Sequence, residues 1–225
     1  MKNALLILIG FALLSGTAFS QKNPHPSMVK VEDVPGLPRV LLIGDSISMG
    51  YTVPVQKLLK GKANVHRISA NGGPTSRGLA NIERWLGDES EKWDVIHFNW
   101  GIHDLKIMPT GKLQVEPADY EKNLRELVAR LQKTGAKLIW ATITPIPDET
   151  LIQDRNFGDE SEYNKVAAKI MAEAGGGKIV TNNLNTFVTP RFTELQVKGD
   201  LHFKPEGSEF LATKVAAEIA KVLAK

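Results

Sequence analysis

Val40-Leu41-Leu42-Ile43-Gly44-Asp45-Ser46-Ile47-Ser48 is an apolar run that stops abruptly at Gly-Asp-Ser. The run is short and rich in aliphatic residues, which is the pattern of a buried strand. Gly44 allows a sharp exit from that strand. Ser46 then falls on the turn at the strand's carboxyl end, where ligands bind in open α/β sheets. Gly, Asp and Ser are all common turn residues, so the tripeptide alone reads first as an ordinary strand-to-helix turn. The rest of the chain has to decide whether Ser46 is a nucleophile.

Outward from this stretch, apolar segments of two periods alternate. Strands are expected at 39–43, 65–68, 93–100, 137–142 and 179–180. Helices are expected at 52–60, at about 79–86, 117–133 and 163–174, and from Pro205 to the end. Pro54 is expected in the first turn of its helix, the one place a helix tolerates it well. Strands alternating with helices imply a parallel sheet covered on both faces. The expected fold class is therefore α/β, a three-layer α/β/α sandwich around a mostly parallel five-stranded sheet. No internal repeat and no change of composition divides residues 39–225, which read as one domain.

Residues 1–20 follow a different rule. Lys2 precedes the apolar run Ala4–Leu14, and small residues lead to Ala18-Phe19-Ser20. That is the pattern of a cleaved signal peptide, with Gln21 as the mature N-terminus and a periplasmic or secreted destination. The run is short for a membrane span, which needs about 20 residues. Residues 21–38 hold four prolines and no helical period, and read as an extended leader wrapping the domain. The chain has no cysteine. A catalytic thiol, a Cys-ligated metal and a disulfide framework are therefore excluded. The net charge of +3 is too mild to imply a nucleic-acid partner, and no basic stripe with interleaved aromatics is present.

Three further polar turns fall at expected strand ends or before the last helix: Ala70-Asn71-Gly72-Gly73-Pro74-Thr75, Gly101-Ile102-His103-Asp104 and Asp200-Leu201-His202. A serine nucleophile needs a base within hydrogen-bond reach, and the base needs an orienting acceptor. Asp200 and His202 are two residues apart, so one turn can hold the carboxylate against the imidazole. In this order the four segments resemble the blocks of the SGNH (GDSL-type) hydrolases, over residues 39–225.

The resemblance implies a serine esterase with Ser46 as nucleophile, His202 as base and Asp200 as its acid partner, and with no metal or organic cofactor. It implies an oxyanion hole built from the backbone N–H groups of Ser46 and Gly73, with Gly72 as the alternative if the alignment slips by one. The family's third block usually reads Gly-x-Asn-Asp, whereas here His103 stands where the Asn would be. An imidazole N–H can donate to an oxyanion in either charge state, so His103 is expected to be the third donor. Asp45 and Asp104 are expected to brace turns. His66 and His97 are expected to be packed or surface residues, and Trp85, Trp93 and Trp140 core residues. Trp100, at the end of the third strand, and Arg155, in the 148–160 loop, are the candidate substrate contacts. Phe157, Lys106 and Lys112 lie in the same two loops.

The expected substrate is an ester, first an O-acetyl group on a carbohydrate. A lipid or thioester acylhydrolase is the alternative. A non-catalytic carbohydrate-binding relative is the alternative of another class.

Overall fold

The structure is a computed structural model that describes residues 24–88, 92–148 and 152–225. The expected signal segment, residues 1–20, lies outside the described residues. Five strands, β1 (Arg39–Ile43), β2 (Asn64–Arg67), β3 (Val95–Phe98), β4 (Lys137–Ala141) and β5 (Val180–Asn182), pair in parallel in the order β2-β1-β3-β4-β5. In register, Leu41 lies opposite His66 on one side and Ile96 on the other.

Side chains alternate along each strand and so feed two cores. Leu41, Ile43, Ile96, Phe98, Leu138 and Trp140 face the helices α2 (Thr75–Leu86), α3 (Pro117–Lys133) and α4 (Asp159–Gly175). Val40, Leu42, Val95, Ile139 and Ala141 face α1 (Ser46–Leu58) and α7 (Pro205–Leu223). This is why β1 is apolar without interruption: both faces are buried. Each fully buried aliphatic side chain of β1 contributes about 1.5–3 kcal/mol. Two short helices, α5 (Leu184–Val188) and α6 (Phe192–Leu195), link β5 to α7. Their lengths of five and four residues are too short to show a period in sequence.

The chain leaves β1 to form β2 on one side and returns to form β3 on the other. The switch point therefore lies between the carboxyl ends of β1 and β3, where the sheet opens a crevice. Gly44–Ser46 and Gly101–Asp104 flank it.

Two expectations need correction. The first helix does not begin at residue 52. It begins at Ser46, because the Asp45 side chain accepts the Ile47 N–H at 2.9 Å and caps it. Pro54 consequently sits in the interior of α1. It is tolerated there because burial of Tyr51, Thr52 and Val55 holds the helix from outside. The leader is also not wholly extended. His25 caps a 3-10 turn, Pro26–Met28, that packs on α1. Beyond it the leader runs along the outer edge of β2. Asn64 holds Val34 by paired hydrogen bonds of 2.9 and 3.0 Å, and Asp33 meets His66 at 2.6 Å and Arg39 at 2.9 Å. An otherwise unpaired sheet edge is thereby covered.

Candidate active site

Ser46 is the first residue of α1, so its N–H has no intrahelical acceptor. The turn that carries it is clamped from below. Arg67, at the end of β2, donates Nη2 to the carbonyls of Gly44 at 2.7 Å and Asp45 at 2.9 Å. Its Nη1 reaches the carbonyls of Ile68 at 2.8 Å and Ala70 at 2.6 Å. One guanidinium thus ties the serine turn to the glycine-rich turn, a use of its planar fork that lysine could not match. Gly72 N–H adds a bond to the Gly44 carbonyl at 2.9 Å. A Cβ on Gly72 would meet that same oxygen at 2.8 Å, so the approach requires glycine. Arg67 was not singled out in the sequence. A basic residue ending an edge strand carries no signal of its own there.

His202 and Asp200 lie on a tight return before α7. Lys204 N–H bonds the Leu195 carbonyl and Val197 N–H the His202 carbonyl, both at 2.9 Å. Packing of α1 against α7 brings this return to the serine across 156 positions of sequence. His202 Nε2 lies 2.8 Å from Ser46 Oγ, and His202 Nδ1 lies 2.6 Å from Asp200 Oδ1. A carboxylate only accepts, so Nδ1 carries the proton and Nε2 is left to accept from the serine hydroxyl. Asp200 Oδ1 also accepts the backbone N–H of His202 at 2.9 Å. Partial burial opposes ionisation of Asp200, but the two hydrogen bonds and the charge of His202 outweigh it and hold the carboxyl below its usual range.

Across the crevice stand the glycine-rich turn and the turn after β3. Gly73 adopts a left-handed backbone with φ of 62°. Its N–H donates to Asn71 Oδ1 at 2.9 Å. The Gly73 donor, expected to be free, is therefore engaged by the Asn71 side chain, and the alternative donor of Gly72 is engaged by Gly44. The cause is local: Asn bonds readily to the backbone two residues on.

His103 is half-buried, and its imidazole has no hydrogen-bond partner among the described residues. Burial lowers its pKa, the Asp45 charge opposes this, and Arg155, Lys106 and Arg77 add to the lowering. The ring is therefore neutral near pH 7 and still carries one N–H. Asp104 beside it is fully buried. Its Oδ1 accepts Thr75 N–H at 2.9 Å and Thr75 Oγ–H at 2.5 Å, tying the start of α2 to the turn after β3.

The two candidate substrate contacts are corrected. Trp100 is 1% exposed and packs against Gly78 of α2 so closely that a Cβ there would meet its ring at 3.0 Å. It belongs to the core under the site. Arg155 is 4% exposed, with Nε donating to the Ile102 carbonyl and Nη1 to the Gln153 carbonyl, both at 2.5 Å. It forms a wall behind His103. Phe157, two residues on, is exposed. Among the described residues no group of three His, Asp or Glu side chains could hold a metal ion. A chamber of about 320 Å³ opens beside Ser46 and His202, walled by His25, Ile47, Met49, Gly50 and Phe203.

Known proteins resemble this chain in sequence and in fold. Residues 42–210 match the model of the GDSL-like Lipase/Acylhydrolase family. An arylesterase of Vibrio mimicus is 26% identical over 199 residues, covering 82% of this chain and 90% of the relative. The lipase/acylhydrolase from Enterococcus faecalis superposes with a TM-score of 0.68 at 22% identity, covering 82% of this chain and 96% of that one. Axe2, an acetylxylan esterase from Geobacillus stearothermophilus, does so with a TM-score of 0.65 at 20% identity, covering 81% and 94%. At such identities the structural likeness speaks to the fold, and the family match speaks to descent. With more than half its length matched, the chain belongs to the GDSL-like lipase/acylhydrolase family of ester hydrolases.

Proposed function

We propose that this esterase works through an acyl-enzyme on Ser46 and removes O-acetyl groups from a carbohydrate outside the cytoplasm. The observation that carries the reading is the unbroken relay from Asp200 Oδ1 to His202 at 2.6 Å and from His202 to Ser46 Oγ at 2.8 Å. Ser46 Oγ attacks the ester carbonyl as its proton passes to His202 Nε2. Asp200 holds the ring tautomer and stabilises the imidazolium. The oxyanion is met by the unpaired N–H of Ser46 and by His103, and by Gly73 N–H once Asn71 releases it. The tetrahedral adduct collapses, and His202 returns the proton to the departing alkoxide. Water then gives a proton to His202 and attacks the acyl-serine, releasing the acid and restoring Ser46.

The chamber beside Ser46, about 320 Å³, is at the low end for small-molecule sites and favours a short acyl group. Half-exposed His202 and Asp200 leave the other side open to a bulky alcohol such as a sugar chain. The signal-like sequence pattern of residues 1–20 supports export. The test is acetate release from a panel of acetylated polysaccharides by wild type and by Ser46→Ala, with labelling by a serine-directed phosphonate. Release by wild type and none by Ser46→Ala is the expected result. Preference for long acyl chains would point to a lipid acylhydrolase. Absence of both labelling and hydrolysis would point to a binding protein.

A further inference from the structure

Asp200 Oδ1 has a third donor besides the two from His202. Gln153 Nε2 reaches it at 2.8 Å from the loop between β4 and α4. The loop is unusual in its backbone. Gln153 and Asp154 both adopt left-handed conformations, with φ of 49° and 64°. They are the only non-glycine residues with positive φ among those described. Such conformations are unfavourable for residues with a Cβ and persist only where the surroundings enforce them. Here the enforcement is visible. Arg155, nearly buried, bonds the Gln153 carbonyl from one side and the Ile102 carbonyl from the other. Ile107 N–H bonds the Asp154 carbonyl at 2.8 Å, and Lys106 Nζ meets the Asp154 carboxylate at 3.4 Å. The strained pair is thus anchored to the turn that carries His103, and its one outward amide is aimed at the acid of the relay.

We propose that Gln153 is a positioning residue, which holds the Asp200 carboxylate in register with His202 and couples it through Arg155 to the His103 turn. This rests on the reading of Ser46, His202 and Asp200 as the catalytic relay. Gln153 touches neither substrate nor reacting atoms and acts through Asp200. Its amide restrains rotation of a carboxylate that is otherwise partly open to solvent. It also occupies part of the accepting capacity of the carboxylate that orients His202.

The test compares wild type with Gln153→Leu, Gln153→Glu and Gln153→Gly, using p-nitrophenyl acetate. Thermal melts are recorded in parallel. Expected for Gln153→Leu is a roughly 10-fold to 10²-fold loss in kcat with little change in KM, the scale of a misplaced catalytic group. The acid limb of its kcat/KM profile should move up by about 0.5–1 pH unit, and further in Gln153→Glu, where a second carboxylate stands beside Asp200. Gln153→Gly removes the amide and relieves the left-handed strain together. It should melt at or above the wild-type temperature and still show the loss and the shift. Wild-type kcat and an unmoved acid limb in all three variants would overturn the proposal. So would losses that follow the melting temperature with the limb unmoved. A wild type no faster than Ser46→Ala would instead sink the relay reading itself.

Discussion

His103 is the residue where this chain departs from the family's usual block, and its surroundings define what it can do. A neutral, half-buried imidazole without a hydrogen-bond partner among the described residues keeps one N–H to offer an oxyanion. Losing one such donor generally costs roughly 10²–10³ in kcat. His103→Ala should therefore fall by about that factor with KM little changed, while His103→Asn, which restores an amide donor, should keep most of the activity. Wild-type turnover by His103→Ala would remove it from the oxyanion hole. The same residue-scale view separates Ser46 and His202, which meet directly, from Gly73, whose amide is engaged by Asn71. Ser46, Asp200 and His202 could be picked out in sequence because their chemical types and order are distinctive. Arg67 and Gln153 could not, because a clamp on carbonyls and a donor to a carboxylate are roles any nearby Arg or Gln could fill.

At the scale of elements, the leader has a local consequence at the site. The turn Pro26–Met28 packs on α1, and His25 before it supplies one wall of the chamber at Ser46. His25 Nδ1 is held by Ser27 N–H at 3.2 Å, so the wall has a fixed shape. His25→Ala should lengthen the chamber. The ratio of butyrate to acetate turnover should then rise several-fold, since each added methylene in an apolar pocket is worth about 1–3 kcal/mol of discrimination. Esters of graded chain length measure this, and an unchanged ratio would place the acyl group elsewhere. The start of α1 belongs to this scale too. Its period is blurred by Gly50 and Pro54, which is why sequence pattern places the helix at residue 52. The Asp45 cap was the available signal for a start at Ser46.

For the whole molecule, Asp104 joins the start of α2 to the turn after β3, and its titration is felt as stability. Burial pushes its carboxyl up to about 7 despite the hydrogen bonds from Thr75, and the Asp45 charge adds to the rise. In the unfolded chain an aspartate titrates near ~3.9. Between about pH 4 and 7 the folded protein therefore holds a proton that the unfolded chain has released, and stability from this group falls as pH rises through that window. Above pH 7 the term is flat. Asp104→Asn keeps an oxygen for both Thr75 donors and cannot ionise. Its melting temperature should accordingly drop less than that of wild type between pH 5 and pH 8. An equal drop in both proteins would show that Asp104 does not titrate in this range.

Sequence alone determined the α/β class and the strands near their observed places, because periodicity is a local property that survives without coordinates, and the order of its polar blocks marked Ser46, Asp200 and His202 as candidates. The two-sided burial of β1 is already written in Val40–Ile43. Tertiary structure alone decided the rest. It placed Trp100 under α2 and Arg155 behind His103, although both sit in segments that could equally have faced a ligand. It fastened the leader to β2 and set Gln153 against Asp200. Each of these depends on which surfaces meet across long stretches of chain, and no period or motif encodes such a meeting. The opening tripeptide marks the difference. Gly44-Asp45-Ser46 is a turn by its composition, and it is the packing of α7 that brings His202 to 2.8 Å from Ser46.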